Sequence, residues 1–184
     1  MLSQNVQLQF WCLFLSLTAA CTSPQTAEET TNTPPNILWI VADDLGADLG
    51  CYGEEAVYTP NLDGLAEESV QYTNFFTVTA VCSPSRSGFI TGMYPTSINC
   101  HQHRTQYKNP LPEEVQPLPE LFRAAGYHVS NASARDFSKF GKTDYNFIHD
   151  SEVLYDSPTW TERAEGQPFF AQVQIFYPHR AFVA

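Results

Sequence analysis

Basic residues are scarce in this chain: 9 Lys and Arg stand against 20 Asp and Glu in 184 residues, a formal net charge of −11. That balance disfavours nucleic acid as a partner, because affinity for it comes from neutralising phosphates. An anionic substrate needs a locally positive pocket on such a surface. No Lys or Arg precedes the apolar run Phe10–Leu17, where secretory signals ordinarily begin positive, and the run is too short for a comfortable membrane span. The pair His101 and His103 has no further Cys or His cluster near it, so a metal there would lack the usual companions.

What is present suffices for one domain with a real core, at 43% hydrophobic and 14% aromatic residues. The run Phe10–Leu17 ends in Ala19-Ala20 before Cys21, which reads as an export signal; a hydrophobic N-terminal helix of the fold is the alternative. Leu17-Thr18-Ala19-Ala20-Cys21 resembles a bacterial lipobox with Leu displaced by one position, so a lipid anchor at Cys21 competes with cleavage after Ala20. The expected organisation is a signal peptide or lipoprotein signal over 1–21, a flexible Thr/Pro/Glu-rich tether over 22–34 and a folded part over 35–184. The expected location is the periplasm, or the outer membrane or cell surface as a lipoprotein. Cys51 and Cys100 can pair in an oxidising compartment.

Asn36–Ala42 is continuously apolar and β-prone, the pattern of a strand buried on both faces of a parallel sheet, and it stops at Asp43-Asp44. Two adjacent carboxylates at the C-terminal end of such a strand suit a hard cation, Ca²⁺ or Mg²⁺; an ordinary turn or helix cap also accounts for them. Thr59 as N-cap, Pro60 at the first helical position and Leu62, Leu65, Ala66 and Val70 on one face predict a covering helix. The spacing of Val70–Val78 predicts a strand leading into Cys82. Cys82-Ser83-Pro84-Ser85-Arg86 places a cysteine where a helix begins, with a guanidinium one turn along, a combination that favours anions and a nucleophilic cysteine. A helix with Pro119 in its first turn and Gly126 at its stop precedes a strand from Tyr127, then a polar insertion from Asn131 to Lys139. A further strand over Gln167–Phe176 ends at Tyr177-Pro178-His179.

Cys82-Ser83-Pro84-Ser85-Arg86 and the following Ser87–Gly92 resemble the signature of the type I sulfatases, of the alkaline-phosphatase-like superfamily. Pro35–Gly46, Gly50-Cys51-Tyr52-Gly53 and Thr59–Ala66 resemble the family's opening strand, first metal pair and next segments, in the same order. The resemblance runs from about Pro35 to Arg180, the N-terminal portion of the family domain, and the family's later metal ligands have no counterpart before Ala184. It implies an α/β fold with a mostly parallel central sheet and helices on both faces, truncated.

The resemblance also implies that a formylglycine-generating maturation enzyme oxidises Cys82 to formylglycine, whose hydrate is the nucleophile. It implies Asp43, Asp44 and Cys82 as ligands of Ca²⁺ (or Mg²⁺), Arg86 and His179 as catalytic residues, and Lys142 and His179 as sulfate-binding residues. The family's Gly-Lys-Trp-His appears as Gly141-Lys142-Thr143-Asp144, so the lysine has a match and the histidine has none. His101, His103 or Arg104 are further candidates for contact with an anionic substrate. The implied activity is hydrolysis of a sulfate ester or sulfamate on a sulfated small molecule or glycan. Two alternatives remain: a phosphoester or phosphonate hydrolase of the same superfamily, and an inactive exported lipoprotein fragment or binding module.

Overall fold

The structure, a computed structural model, describes residues 33–179. The expected signal segment, the Cys21 lipid site, the tether up to Asn32 and the end from Arg180 lie outside the described residues. One compact unit begins at Pro34. In chain order it contains β1 (Ile37–Ala42), α1 (Pro60–Glu67), α2 (Cys82–Thr91), α3 (Leu118–Ala124), β2 (His128–Ser133), β3 (Asp136–Phe140), α4 (Ser151–Leu154) and β4 (Phe169–Ile175).

The strands form one open mixed sheet in the order β1-β4-β2-β3. β4 pairs in parallel with β1 and with β2, and β3 closes the far edge antiparallel to β2. The three parallel strands therefore end on one rim, the edge at which open α/β sheets bind ligands.

One sheet face carries the core. Trp39 from β1 meets Phe89 of α2 edge-on at 5.0 Å, and Phe122 of α3 stacks on Phe170 of β4 at 4.3 Å. Ile90, Val129 and Phe147 belong to the same cluster. α2 ends at Gly92 and α3 at Gly126, both at positive φ (66° and 89°), the left-handed conformation that stops a helix without strain only at glycine.

Several sequence expectations need correction. Burial on both sheet faces holds for most of β2 and β4 but not for β1, where Leu38 and Ile40 are 50% and 56% exposed. Among the described residues, β1 pairs with β4 alone. Residues 70–78 form no strand; Phe75 and Phe76 are exposed, and the segment is tied down through Gln71 Nε2 to Cys51 O and Tyr52 Oη to Tyr72 O. α1 starts at Pro60 as expected, but Leu62, Leu65 and Val70 are exposed, so it covers no core among the described residues. Thr59 takes the N-cap position without capping; its hydroxyl accepts from Gly50 N and donates to Asp63. The polar stretch 131–139 forms the end of β2 and most of β3, a hairpin in which Ala132 pairs with Phe140 and Ser133 with Asp136. Cys51 and Cys100 are both free thiols, and Cys100 is buried with Sγ against Ile98 O and Asn146 O.

Gly141, just after β3, is pressed against the sheet. A Cβ there would lie 2.5 Å from Ala132 O and 2.5 Å from Gln174 Cγ, and Gly141 also exchanges two hydrogen bonds with Asn131. Gly141→Ala should cost about 1–3 kcal/mol, because backbone stands on one side of the new methyl. Urea denaturation of the full chain measures this, and a midpoint equal to that of the unsubstituted protein would show that the contact relaxes freely.

Candidate active site

The rim cluster starts from Arg86. On the first two turns of α2 it is buried, and its Nη1 donates to Gln174 Oε1 of β4 (2.9 Å) and to Lys142 O (3.1 Å). Its Nη2 lies 3.3 Å from Asp43 Oδ1, just beyond the end of β1. One guanidinium thereby fixes α2, β4, the post-β3 loop and the end of β1 relative to each other. Five donors in a rigid fork allow that, where an ammonium would not.

Asp43 is buried and held by two cations, since Lys142 Nζ also reaches its Oδ2 at 2.6 Å. Burial opposes its ionisation, but the Lys142 hydrogen bond and the Arg86 and Lys142 charges outweigh that and hold the carboxyl below its ordinary range. Lys142 Nζ is in turn 3.5 Å from Asp144, a residue at positive φ (50°) whose carboxylate receives Arg104 through Nε at 3.1 Å and Nη2 at 3.0 Å. Burial opposes the Asp144 charge too, and Arg104 and Lys142 overcome it.

Asp44, also at positive φ (57°), turns its carboxylate outward. Its Oδ1 is 3.8 Å from Cys82 Sγ, at the first position of α2, and its Oδ2 is 3.7 Å from His179 Nε2. Burial pushes the Cys82 thiol up, and the surrounding carboxylates push the same way against Lys142. A thiolate is disfavoured there, so the sulfur is poorly prepared to act as an anionic nucleophile itself.

Six of the residues proposed from the sequence meet at this rim: Asp43, Asp44, Cys82, Arg86, Lys142 and His179. Asp43, Cys82 and His179 each bring one ligand atom within 4.8 Å of the others. With Asp44 beside them, the donors fit a divalent cation, and the sulfur decides which: carboxylates alone suit Ca²⁺ or Mg²⁺, while thiolate and imidazole suit softer ions. Of the other candidates, His101 and His103 are exposed, whereas Arg104 faces Asp144. A cleft of about 840 Å³ opens beside the cluster, lined by Asp43, Asp44, Cys82, Arg86 and the aromatic Phe75 and Phe76.

Two site residues escape a reading of the sequence. Gln174 alternates with apolar neighbours along β4 as a solvent-facing residue would, yet it is buried and receives Arg86. Asp144 stands in the string after Lys142, and only its two cationic partners reveal it.

The sulfatase family profile matches residues 35–183. An ulvan-active sulfatase of Formosa agariphila is 38% identical over 80% of this chain and 26% of its own length. Among solved structures, a 2-O glycosaminoglycan sulfatase superposes with a TM-score of 0.59 at 24% identity, covering 79% of this chain and 35% of that one. A phosphonate monoester hydrolase of Agrobacterium radiobacter gives a TM-score of 0.57 at 20% identity, covering 80% and 42%. At that identity both structural likenesses show the fold alone. The chain spans about a quarter of the length of the ulvan-active relative.

A carboxyl held below its ordinary range stabilises the fold above the unfolded-state value of about 3.8 and loses that contribution as pH falls through the folded value. Stability should therefore be flat near neutrality and fall below about pH 4. Asp43→Asn should cost about 3 kcal/mol at pH 7 by stranding part of the Arg86 and Lys142 charge, and should make the acid-side loss shallower, leaving the part due to Asp144. Chemical denaturation at pH 7 and pH 3 measures both; parallel pH profiles for the two proteins would contradict the assignment.

Proposed function

The chain belongs to the sulfatase family, and from that membership we propose that it carries the nucleophile-bearing part of a hydrolase for sulfate esters or sulfamates on sulfated glycans. The observation that carries the reading is the convergence of Cys82, Asp43, Asp44, Arg86, Lys142 and His179 on one strand-end rim. The names of the ulvan-active relative and of the 2-O glycosaminoglycan sulfatase support a sulfated glycan as substrate.

In this reading Cys82 is oxidised by a formylglycine-generating enzyme, which replaces a poorly ionised thiol with an aldehyde whose hydrate supplies the attacking hydroxyl. Oxygen in place of sulfur at position 82 also turns the donor set with Asp43 and Asp44 into one suited to Ca²⁺, or to Mg²⁺ in its place. The cation, when bound, stabilises negative charge on oxygen at the reaction centre. Arg86 keeps the Asp43 carboxylate in register with the start of α2. Lys142 offers its ammonium to the sulfuryl oxygens, exchanging an Asp43 contact for a substrate contact, with Asp144 limiting its travel. His179 passes a proton to the leaving alcohol or amine, a transfer for which imidazole is suited near neutrality. We further propose that the protein works outside the cytoplasm, with the N-terminal segment as export signal and Cys21 as a lipid site.

The test is peptide mass spectrometry on the chain coexpressed with a formylglycine-generating enzyme. The Cys82 peptide should carry the aldehyde mass, and Ca²⁺ should then raise the melting temperature in the wild type but not in Asp44→Ala. Where the matured protein hydrolyses an aryl sulfate, Cys82→Ala should lower the rate by roughly 10³-fold or more. An unmodified thiol, with the maturation enzyme active on a control peptide, would remove the proposed nucleophile and favour an inactive fragment. Faster turnover of an aryl phosphonate than of the aryl sulfate would favour the phosphonate hydrolase reading.

A further inference from the structure

The β2–β3 hairpin brings a cation to the same rim by a route that the site described above does not use. β2 ends at Ser133, Ala134 N donates to Gln174 O, and the chain turns at Arg135 into β3. The exposed Arg135 lays its guanidinium over two consecutive rings beyond β4, 6.0 Å from the centre of Phe176 and 5.3 Å from that of Tyr177. Tyr177 is itself 70% exposed, and it lies two residues before His179.

Charge pairing separates this arginine from the others. Arg86 is matched by Asp43, Arg104 by Asp144 and Arg123 by Asp156. Arg163 also stacks on an aromatic ring, Phe169, but that ring starts β4 and so lies at the opposite end of the sheet. Among the described residues, Arg135 is the one arginine at this rim without a carboxylate partner. Its donors stay available while the aromatic face holds the guanidinium plane, an arrangement suited to an anion with planar or forked oxygens.

Distance matters as well. In the order β1-β4-β2, the ends of β1 and β2 are two strand spacings apart, about 10 Å. Asp43 and Asp44 follow one end and Arg135 the other. That separation is on the scale of the sugar next to the one reacting at Cys82.

We propose that Arg135 with Tyr177 forms a second subsite, for an anionic sugar unit adjoining the one that carries the scissile group. Tyr177 offers an apolar ring face to the sugar, and Arg135 binds its sulfate or carboxylate. This rests on the glycan reading of the site. It gives the β2–β3 hairpin a role in selecting substrate, and it supplies local positive charge on a chain of net charge −11.

The test is calorimetric titration of the full chain, produced without a maturation enzyme so that turnover does not interfere. The ligands are a sulfated uronate-containing disaccharide, its carboxyl-reduced form, its desulfated form and inorganic sulfate. The wild type should bind the sulfated disaccharide more tightly than inorganic sulfate. Arg135→Ala should weaken the disaccharide about tenfold and leave inorganic sulfate unchanged, with Arg135→Lys between the two. Tyr177→Ala should weaken the disaccharide alone. Disappearance of the Arg135→Ala effect on carboxyl reduction assigns the anion at Arg135 to the uronate, and its disappearance only on desulfation assigns it to the sulfate. Equal losses for disaccharide and inorganic sulfate in Arg135→Ala, no loss in that variant, or no disaccharide binding by the wild type would overturn the subsite. Aldehyde formation at Cys82 remains an independent measure of the sulfatase reading, so either can fail alone.

Discussion

The buried Arg86 guanidinium is the constraint on which the rest of the rim depends. A charge with 3% of its surface exposed is costly unless every side of it is answered, and the answers come from three separate parts of the chain: Asp43 after β1, Gln174 within β4 and the Lys142 carbonyl after β3. Satisfying one residue therefore sets the position of α2 over the sheet. Cys82 lies one helical turn before Arg86, so its place beside Asp44, 3.8 Å from Oδ1, follows from that docking.

The same logic extends inward. Gln174 gives Arg86 its side-chain oxygen and donates through Nε2 to Asn131, whose own amide donates to Gly141 O. Beside it, Gln172 accepts from Tyr155, which is hydrogen bonded to Tyr145. Burial pushes the Tyr145 hydroxyl up to about 12, so this phenol stays neutral. The sheet face under α2 is thus a hydrogen-bonded polar layer between an apolar core and the rim. Partners fixed at hydrogen-bond distance tolerate less displacement than apolar packing does, which suits a site where small misplacement costs rate.

The legible part of the site was the part carried by element boundaries. Asp43 and Asp44 stop an apolar run, Cys82 opens a helix, and His179 follows a strand, so each could be placed on a rim from the sequence alone. Gln174 and Asp144 could not, because one mimics a solvent-facing strand residue and the other takes its role from Arg104, forty positions away. The misread elements share a different cause. Val70–Val78 has strand composition, but among the described residues no strand edge pairs with it; the apolar faces of α1 and of β1 at Leu38 and Ile40 are real in sequence yet uncovered among those residues. Periodicity reports which side of an element is apolar, whereas burial depends on what else reaches that side.

Within the paired cluster around Asp43 the charges balance: Asp43, Asp44 and Asp144 stand against Arg86, Arg104 and Lys142, with Arg135 outside it. Such a cluster is stable as it is and has little spare attraction for an anion. Under the proposed function a sulfate monoester would displace Lys142 from Asp43, which would leave that buried carboxylate with Arg86 alone and raise the cost of its charge. A divalent cation held by Asp43 and Asp44 would reverse the sign of the problem, since it would compensate both carboxylates and leave Lys142 available to the anion. Under the proposed function the electrostatics would thus couple cation and anionic substrate at one site, which is how a chain with 20 acidic and 9 basic residues would attract an anion locally.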